Sequence, residues 1–327
     1  MARCLYCYKE LKGGENDFHK ECAHKMFGQD TAPRLAYTRK ELDKLARVVV
    51  ASRTTVTGVQ AKLSMDLEHD ADGNPSRLTI VGVMGRYILK PQTEQFERLP
   101  ELEDLTMHLA EIVKIATVPH CLIRFEDGEL NYITRRIDRT AEGHKLKMED
   151  MCQIVGRMTE QKYQGSYEMI GAAIRKYSST PMLDLVNFWE QVVFSWIVGN
   201  ADMHLKNFSL YSPRKGQYQL SPAYDQLSTV IAMPEDTEEL ALSLNGWKKK
   251  LMQEDFKEAM LGCNMKEKII QNIFQKFINA EERWCACIDE SFVTEEMKRQ
   301  YKTLIHNRLT VLAKHSSTFN THSLSTL

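Results

Sequence analysis

The run LDLVNFWEQVVFSWIVG, residues 183–199, constrains this chain more than any other stretch. At helical spacing its apolar side chains, among them Phe188, Trp189, Val192, Val193, Trp196 and Ile197, occupy nearly every face. A helix apolar all round is stable only when surrounded, so this one is expected at the centre of a helical core. Gly199 and Asn200 are good terminators for it. Directly after them come Asp202, His204, Lys206 and Asn207. Such a cluster is either a polar cap on a core helix or a site.

With 327 residues the chain exceeds one minimal core, which predicts two lobes. Residues 1–30 are rich in Cys and His. Residues 31–150 mix helix with strand-like runs, SRLTIVG, GRYILKP, HCLIRFE and LNYITRRID. Between these runs, ELEDLTMHLAEIVKIA (101–116) keeps apolar residues at 102, 105, 109, 112 and 113, a helical spacing. Residues 151–327 read as mostly helical. The expected class is α+β: a nucleotide-binding lobe, a helical catalytic lobe, a small Cys/His segment in front, and a cleft between the lobes for a ligand.

The formal net charge of −1 offers no basic field for nucleic acid or an anionic membrane. No stretch reaches the roughly 18–20 unbroken apolar residues of a membrane span. The opening MARCLYCYKE lacks the apolar centre of a secretory signal. A cytoplasmic location is therefore expected, where the eight cysteines serve as thiols or metal ligands.

Spacing argues for a site. Asp202 and Asn207 stand five apart, and Asp225 follows a strand-like run and a turn at SPRKGQ. Phosphoryl transfer needs a carboxylate beside the attacking hydroxyl and acid or amide oxygens for magnesium. Protein-kinase catalytic loops have this Asp-x4-Asn spacing, with a further metal-binding Asp beyond a hairpin. Here the usual His-Arg and Phe-Gly companions are missing. Upstream, Lys90 ends GRYILKP, where an ammonium either meets phosphates or is simply a solvated strand end; Glu103 is its candidate partner. TTVTGVQAKLSM, residues 54–65, places one glycine among hydroxyl residues and ends in Lys62 and a strand. Such a loop can offer backbone N–H groups to phosphate.

Taken in order, TVTGVQAKL, YILKP, RRIDR, MEDMCQ, GNADMHLKNFSLY, LSPAYDQLST and LALSLNG resemble the HipA-type kinases, the toxins of bacterial toxin–antitoxin modules. The similarity runs from about residue 54 to 250. It implies an ATP- and Mg²⁺-dependent serine/threonine protein kinase of two-lobed, kinase-like fold. By position, Asp202 would be the catalytic base, and Asn207 and Asp225 would hold magnesium. Lys90 would contact the phosphates. Thr57, Gly58, Val59, Gln60, Ala61 and Lys62 would form the phosphate-facing loop. Glu149, Asp150 and Met151 would be the hinge against adenine, with His204 and Lys206 beside the nucleotide.

Two departures from the family matter. Its autophosphorylated serine, three residues before the glycine, is here Thr55, and Thr57 is a second hydroxyl. Only about fifty residues precede the loop, so the chain resembles the short members. In these the N-terminal subdomain is a separate small protein, HipS-like, and a HipB-like helix-turn-helix antitoxin completes the module.

The start, CLYCYKELKGGENDFHKECAHKMFG, pairs Cys4 with Cys7 and His19 with Cys22 at two-residue spacing. Zinc takes four tetrahedral N/S ligands, and paired ligands at this spacing fit a knuckle and a first helical turn. His24 is a substitute ligand. The alternative is a small helical start whose thiols merely pack.

The favoured reading is a serine/threonine kinase toxin acting on a translation component, by family analogy an aminoacyl-tRNA synthetase. Its substrate-facing surface is placed around TEQKYQGSYEM, residues 159–169. A small-molecule kinase on a related fold and a catalytically silent nucleotide-binding regulator are the alternatives.

Overall fold

The computed structural model describes residues 2–41, 62–69, 75–81, 84–235 and 237–314. The N-terminal segment closes on helix α1 (Lys20–Phe27), which ends at Gly28 in the left-handed region. Strands β1 (Leu63–His69), β2 (Pro75–Ile80), β3 (Tyr87–Lys90), β4 (His120–Arg124) and β5 (Leu130–Arg135) form one antiparallel sheet in the order β2-β1-β3-β5-β4. The four strand-like runs fall on β2 to β5. Period-2 alternation sends Leu89 and Ile133 into a cluster with Cys4, Leu5, Met26 and Phe27 of the N-terminal segment. That segment also meets β4 through its backbone, the Leu122 N–H donating to the Leu5 carbonyl at 3.0 Å.

Helix α2 (Leu99–Ile112) packs on β4 and β5 and buries Leu102, Leu105, Met107 and Leu109. It begins two residues before the expected helix, with Pro100 in its first turn, and stops four residues earlier. Lys114 adopts φ 60°, a left-handed conformation that turns the chain toward β4 before the apolar pattern runs out.

A polar network lies under α2. Asp104 is fully buried and accepts Tyr8 O–H at 2.7 Å through one oxygen and His120 Nδ1 at 2.7 Å through the other. Glu111 Oε1 lies 3.5 Å from His120 Nε2. Burial works against the imidazolium, but the hydrogen bonds and charges of Asp104 and Glu111 outweigh it and hold His120 up at about 9. A folded value above 6.5 adds stability that is fully present below 6.5 and lost as pH rises through about 9. Unfolding free energy should therefore fall on that interval by up to on the order of 3 kcal/mol. Urea titrations across it, flattened by His120→Gln, check the expectation; equal slopes in both proteins would refute it.

The second lobe is built on helix α5, after short α3 (Met151–Ile154) and α4 (Tyr167–Tyr177). α5 spans Pro181–Ile197, and Leu185, Phe188, Trp189, Val192, Val193, Phe194, Trp196 and Ile197 are all 0% exposed, as an all-round apolar helix requires. Gly199 ends it at φ 69°, and a Cβ there would sit 2.8 Å from Leu304 Cδ2. Both the backbone angle and the space call for glycine. Strands β6 (Met148–Asp150), β7 (Ser209–Arg214) and β8 (Gln217–Leu220) make a small antiparallel sheet. Helices α6 (Thr229–Ala232), α7 (Gln253–Gly262), α8 (Glu267–Ile278), α9 (Glu281–Glu290) and α10 (Glu295–Ala313) complete the lobe. Trp284 of α9 donates its indole N–H to the Leu109 carbonyl of α2 at 2.8 Å, joining the lobes. The architecture is α+β and two-lobed. Among the described residues, no helix is long and apolar enough to cross a membrane.

Candidate active site

The elements bring together residues far apart in sequence. Lys90, at the end of β3, is 4% exposed and pairs with Glu103 of α2. Its ammonium also reaches Asp225 Oδ1 at 2.6 Å and lies 5.3 Å from the centroid of the Tyr132 ring. Lys62, just before β1, takes the other Asp225 oxygen at 2.7 Å. Burial disfavours charge on Lys90, yet Asp225 and Glu103 hold the ammonium well above the ordinary lysine value. Burial would likewise raise Asp225, but Lys90 and Lys62 hold its carboxyl far below the usual carboxylate range. Burial pushes the Glu103 carboxyl up, with Lys90 working against it. Asp225 adopts φ 54°, a left-handed conformation uncommon outside glycine.

A second group of residues comes from the loop after α5. Asn207 Nδ2 donates to the Asp202 carbonyl at 2.9 Å, and its Oδ1 takes no hydrogen bond among the described residues. The Asp202 N–H donates to Asn200 Oδ1 at 3.2 Å. Lys206 bonds Asp150 Oδ2 at 2.7 Å, tying the loop to the start of α3. Asp150 caps that helix by accepting the Gln153 N–H. Met151 is buried and hydrogen-bonds Phe208 through its backbone at 2.8 Å, whereas the neighbouring Glu149 is exposed. His204 is buried, and burial pushes its imidazole down to about 4, so it is neutral at pH 7.

The structure thus brings Lys62, Lys90, Glu103 and Asp225 into one cluster, and gathers Asp150, Lys206, Asp202, His204 and Asn207 around one loop. Thr55, Thr57, Gly58, Val59, Gln60 and Ala61 lie outside the described residues. Sequence reading missed the joint between the two acidic positions. Asn200 and Gln226 are buried, and Asn200 Nδ2 donates to Gln226 Oε1 at 3.2 Å. Thr229 adds a second joint, accepting the Ala201 N–H at 2.8 Å. The only signal was the polar composition of LSPAYDQLST, which does not say what each side chain meets.

Two ammonium groups beside carboxylate and amide oxygens are a donor set for phosphate and a hard divalent cation. The profile of the HipA-like C-terminal domain matches residues 54–284, more than half of the chain. The chain belongs to this family.

Relatives of the HipA-like chain carry provisional kinase names. It is 30% identical over 286 residues to Y4dM of Sinorhizobium fredii, covering 84% of this chain and 65% of Y4dM. With Y4mE of the same organism it shares 30% over 250 residues, covering 71% of this chain and 57% of Y4mE. It therefore spans less than two thirds of either relative's length. A Haemophilus influenzae relative is 25% identical over 330 residues, covering 90% of this chain and 93% of its own. Two solved structures share the fold. One is HipA from a Shewanella oneidensis toxin–antitoxin complex with HipB and operator DNA: TM-score 0.65, 18% identity, covering 79% of this chain and 64% of that one. The other is the Helicobacter pylori proinflammatory kinase CtkA: TM-score 0.50, 15% identity, covering 76% and 94%. The HipA-like chain thus has a two-lobed, kinase-like fold.

Outside the matched span, the ligand atoms of Cys4, Cys7, His19 and Cys22 lie within 4.8 Å of one another. His19 Nδ1 is 3.4 Å from Cys7 Sγ and 3.8 Å from Cys22 Sγ. Its Nε2 faces the Glu10 carbonyl at 3.0 Å, an outer partner that fixes the ring and leaves Nδ1 for a metal. Three thiols and one imidazole fit a structural zinc site. His24 stands elsewhere, 3.4 Å from Asp30, so it is not part of the cluster and the substitute-ligand expectation is corrected. Purified protein should carry about one zinc ion per chain, and Cys22→Ser should lose it with a lower melting temperature. Elemental analysis that finds no zinc in the unmutated protein would leave packing as the role of these thiols.

Proposed function

We propose that this HipA-like chain is an ATP- and Mg²⁺-dependent serine/threonine protein kinase that serves as the toxin of a toxin–antitoxin module. The observation that carries the reading is the Lys62–Asp225–Lys90–Glu103 chain of charges, joined to the Asp202–Asn207 loop through the Asn200–Gln226 hydrogen bond. Lys90 and Lys62 would release Asp225 and turn to the ATP phosphates, while Glu103 keeps Lys90 oriented. Asn207 and Asp225 would hold magnesium, which neutralises phosphate charge when bound. Thr57 to Lys62 would face the phosphates, Glu149, Asp150 and Met151 would lie along adenine, and His204 and Lys206 would line the nucleotide side. Asp202 would accept the proton of the acceptor hydroxyl as its oxygen bonds the γ-phosphorus and the bond to ADP breaks. A cytoplasmic translation component such as an aminoacyl-tRNA synthetase is the proposed target. A HipS-like protein and a HipB-like DNA-binding antitoxin are the proposed partners, with no nucleic-acid contact by this chain alone and none with a membrane.

The deciding experiment follows γ-labelled ATP in lysate with the unmutated protein and with Asp202→Asn. Label on protein serine or threonine supports the reading. Label on a metabolite favours a small-molecule kinase, and no label at all favours a silent regulator. In the same samples Thr55 or Thr57 should carry phosphate only when Asp202 is intact. A phosphate adds about −1.5 to −2 charges at pH 7, repelling bound ATP, so the modified protein should bind nucleotide more weakly. Mass spectrometry that finds both threonines unmodified in active protein would refute self-inhibition through this loop.

A further inference from the structure

The Asp202 carboxylate has two oxygens, and its own chain occupies one. Oδ1 accepts the Tyr163 O–H at 2.6 Å, while Oδ2 takes no hydrogen bond among the described residues. Tyr163 comes from the stretch between α3 and α4, remote from the catalytic loop in sequence. Three contacts among the described residues hold it there. Its ring meets His204 edge-on with centroids 5.1 Å apart. Lys162 Nζ lies 4.9 Å from the ring centroid. The Leu205 N–H donates to the Lys162 carbonyl at 3.1 Å, stitching the two loops together one residue away.

We infer that Tyr163 is a positioning residue for phosphoryl transfer: its hydroxyl anchors Asp202 Oδ1 so that Oδ2 is presented to the acceptor hydroxyl. This rests on Asp202 being the base. An unanchored carboxylate on a loop rotates about its side-chain bonds and spends part of its time turned away. An O–H···O⁻ hydrogen bond is among the stronger ones and removes that freedom before substrate arrives. Burial keeps His204 neutral, so it does not draw on the Asp202 carboxylate as an imidazolium would. The backbone stitch beside Tyr163 favours an anchor over a gate that must swing away at each turnover.

Tyr163→Phe removes the hydroxyl from a side chain that is 44% exposed, so the fold should survive. Self-labelling and ATP turnover by the full chain should show kcat down about tenfold, the scale of a lost charge-assisted hydrogen bond, with KM for ATP unchanged. Tyr163→His, which keeps a donor on a ring, should recover part of the rate. Unchanged kcat overturns the inference, and so does a rise in kcat, which would make Tyr163 a gate. A matched rise in KM for ATP also overturns it, by pointing to general disturbance of the cleft. If the unmutated protein binds Mg·ATP but neither labels itself nor turns ATP over, the kinase reading fails first. If it does both and Tyr163→Phe behaves identically, only this inference fails.

Discussion

Asp202→Asn is expected to lower phosphate transfer by roughly 10²–10⁴-fold and to leave Mg·ATP affinity nearly unchanged. The substitution keeps the shape of the side chain and removes its capacity to take a proton. The loop should stay folded, because Asn207 bonds the Asp202 main-chain carbonyl and Asn200 accepts the main-chain N–H. The Tyr163 hydroxyl still finds an amide oxygen in place of Oδ1. Lys90, Lys62 and Asp225, which would meet the nucleotide, are untouched. Calorimetry with Mg·ATP and transfer from γ-labelled ATP measure the two halves separately. Near-normal transfer would remove Asp202 from the base's role, and lost ATP binding would make it a nucleotide ligand instead.

Lys90→Met is expected to cost about 3–5 kcal/mol of stability in addition to nucleotide affinity, the range for stripping one partner from a buried ion pair. Glu103 is 1% exposed, and its hydrogen bond goes to Lys90. Without the ammonium it must either ionise unpaired or take up a proton. Asp225 suffers less, since Lys62 remains on its other oxygen. Adding Glu103→Gln should therefore recover much of the lost stability while ATP binding stays impaired. Urea unfolding of the two single variants and the double variant measures the coupling. An unchanged midpoint in Lys90→Met would mean that water already solvates Glu103.

Much of this was legible because it is local. An all-round apolar helix could only be α5, strand-like runs marked β2 to β5, and the spacing of Asp202 and Asn207 marked the proposed catalytic loop. Glu103 was named as Lys90's candidate partner because it lies on the helix that follows that strand, and the structure pairs the two. The four N-terminal candidate ligands were readable from paired spacing, though His24 was not excluded, since only the fold shows that it turns to Asp30. What stayed hidden is tertiary. The roles of Tyr163, Gln226 and His120 could not be read locally, because each matters through a partner 16 to 39 residues away. No periodicity records such meetings. The early end of α2 was hidden for a different reason: a left-handed lysine overrode an apolar pattern that continued past it.

The Tyr8 hydroxyl on Asp104 makes the first residues an unsuitable place to trim. Shortening the chain past Phe27, as one would to isolate a minimal catalytic unit, removes a hydrogen-bond donor from a fully buried acid. It also uncovers the sheet face on which Met26 and Phe27 rest. Asp104 is the helical neighbour of Glu103, so the damage would arrive one residue from the partner of Lys90. A shortened protein that proved inactive would then say nothing against the proposed catalytic residues, and reagents that attack the N-terminal thiols could silence the proposed activity without ever entering the cleft.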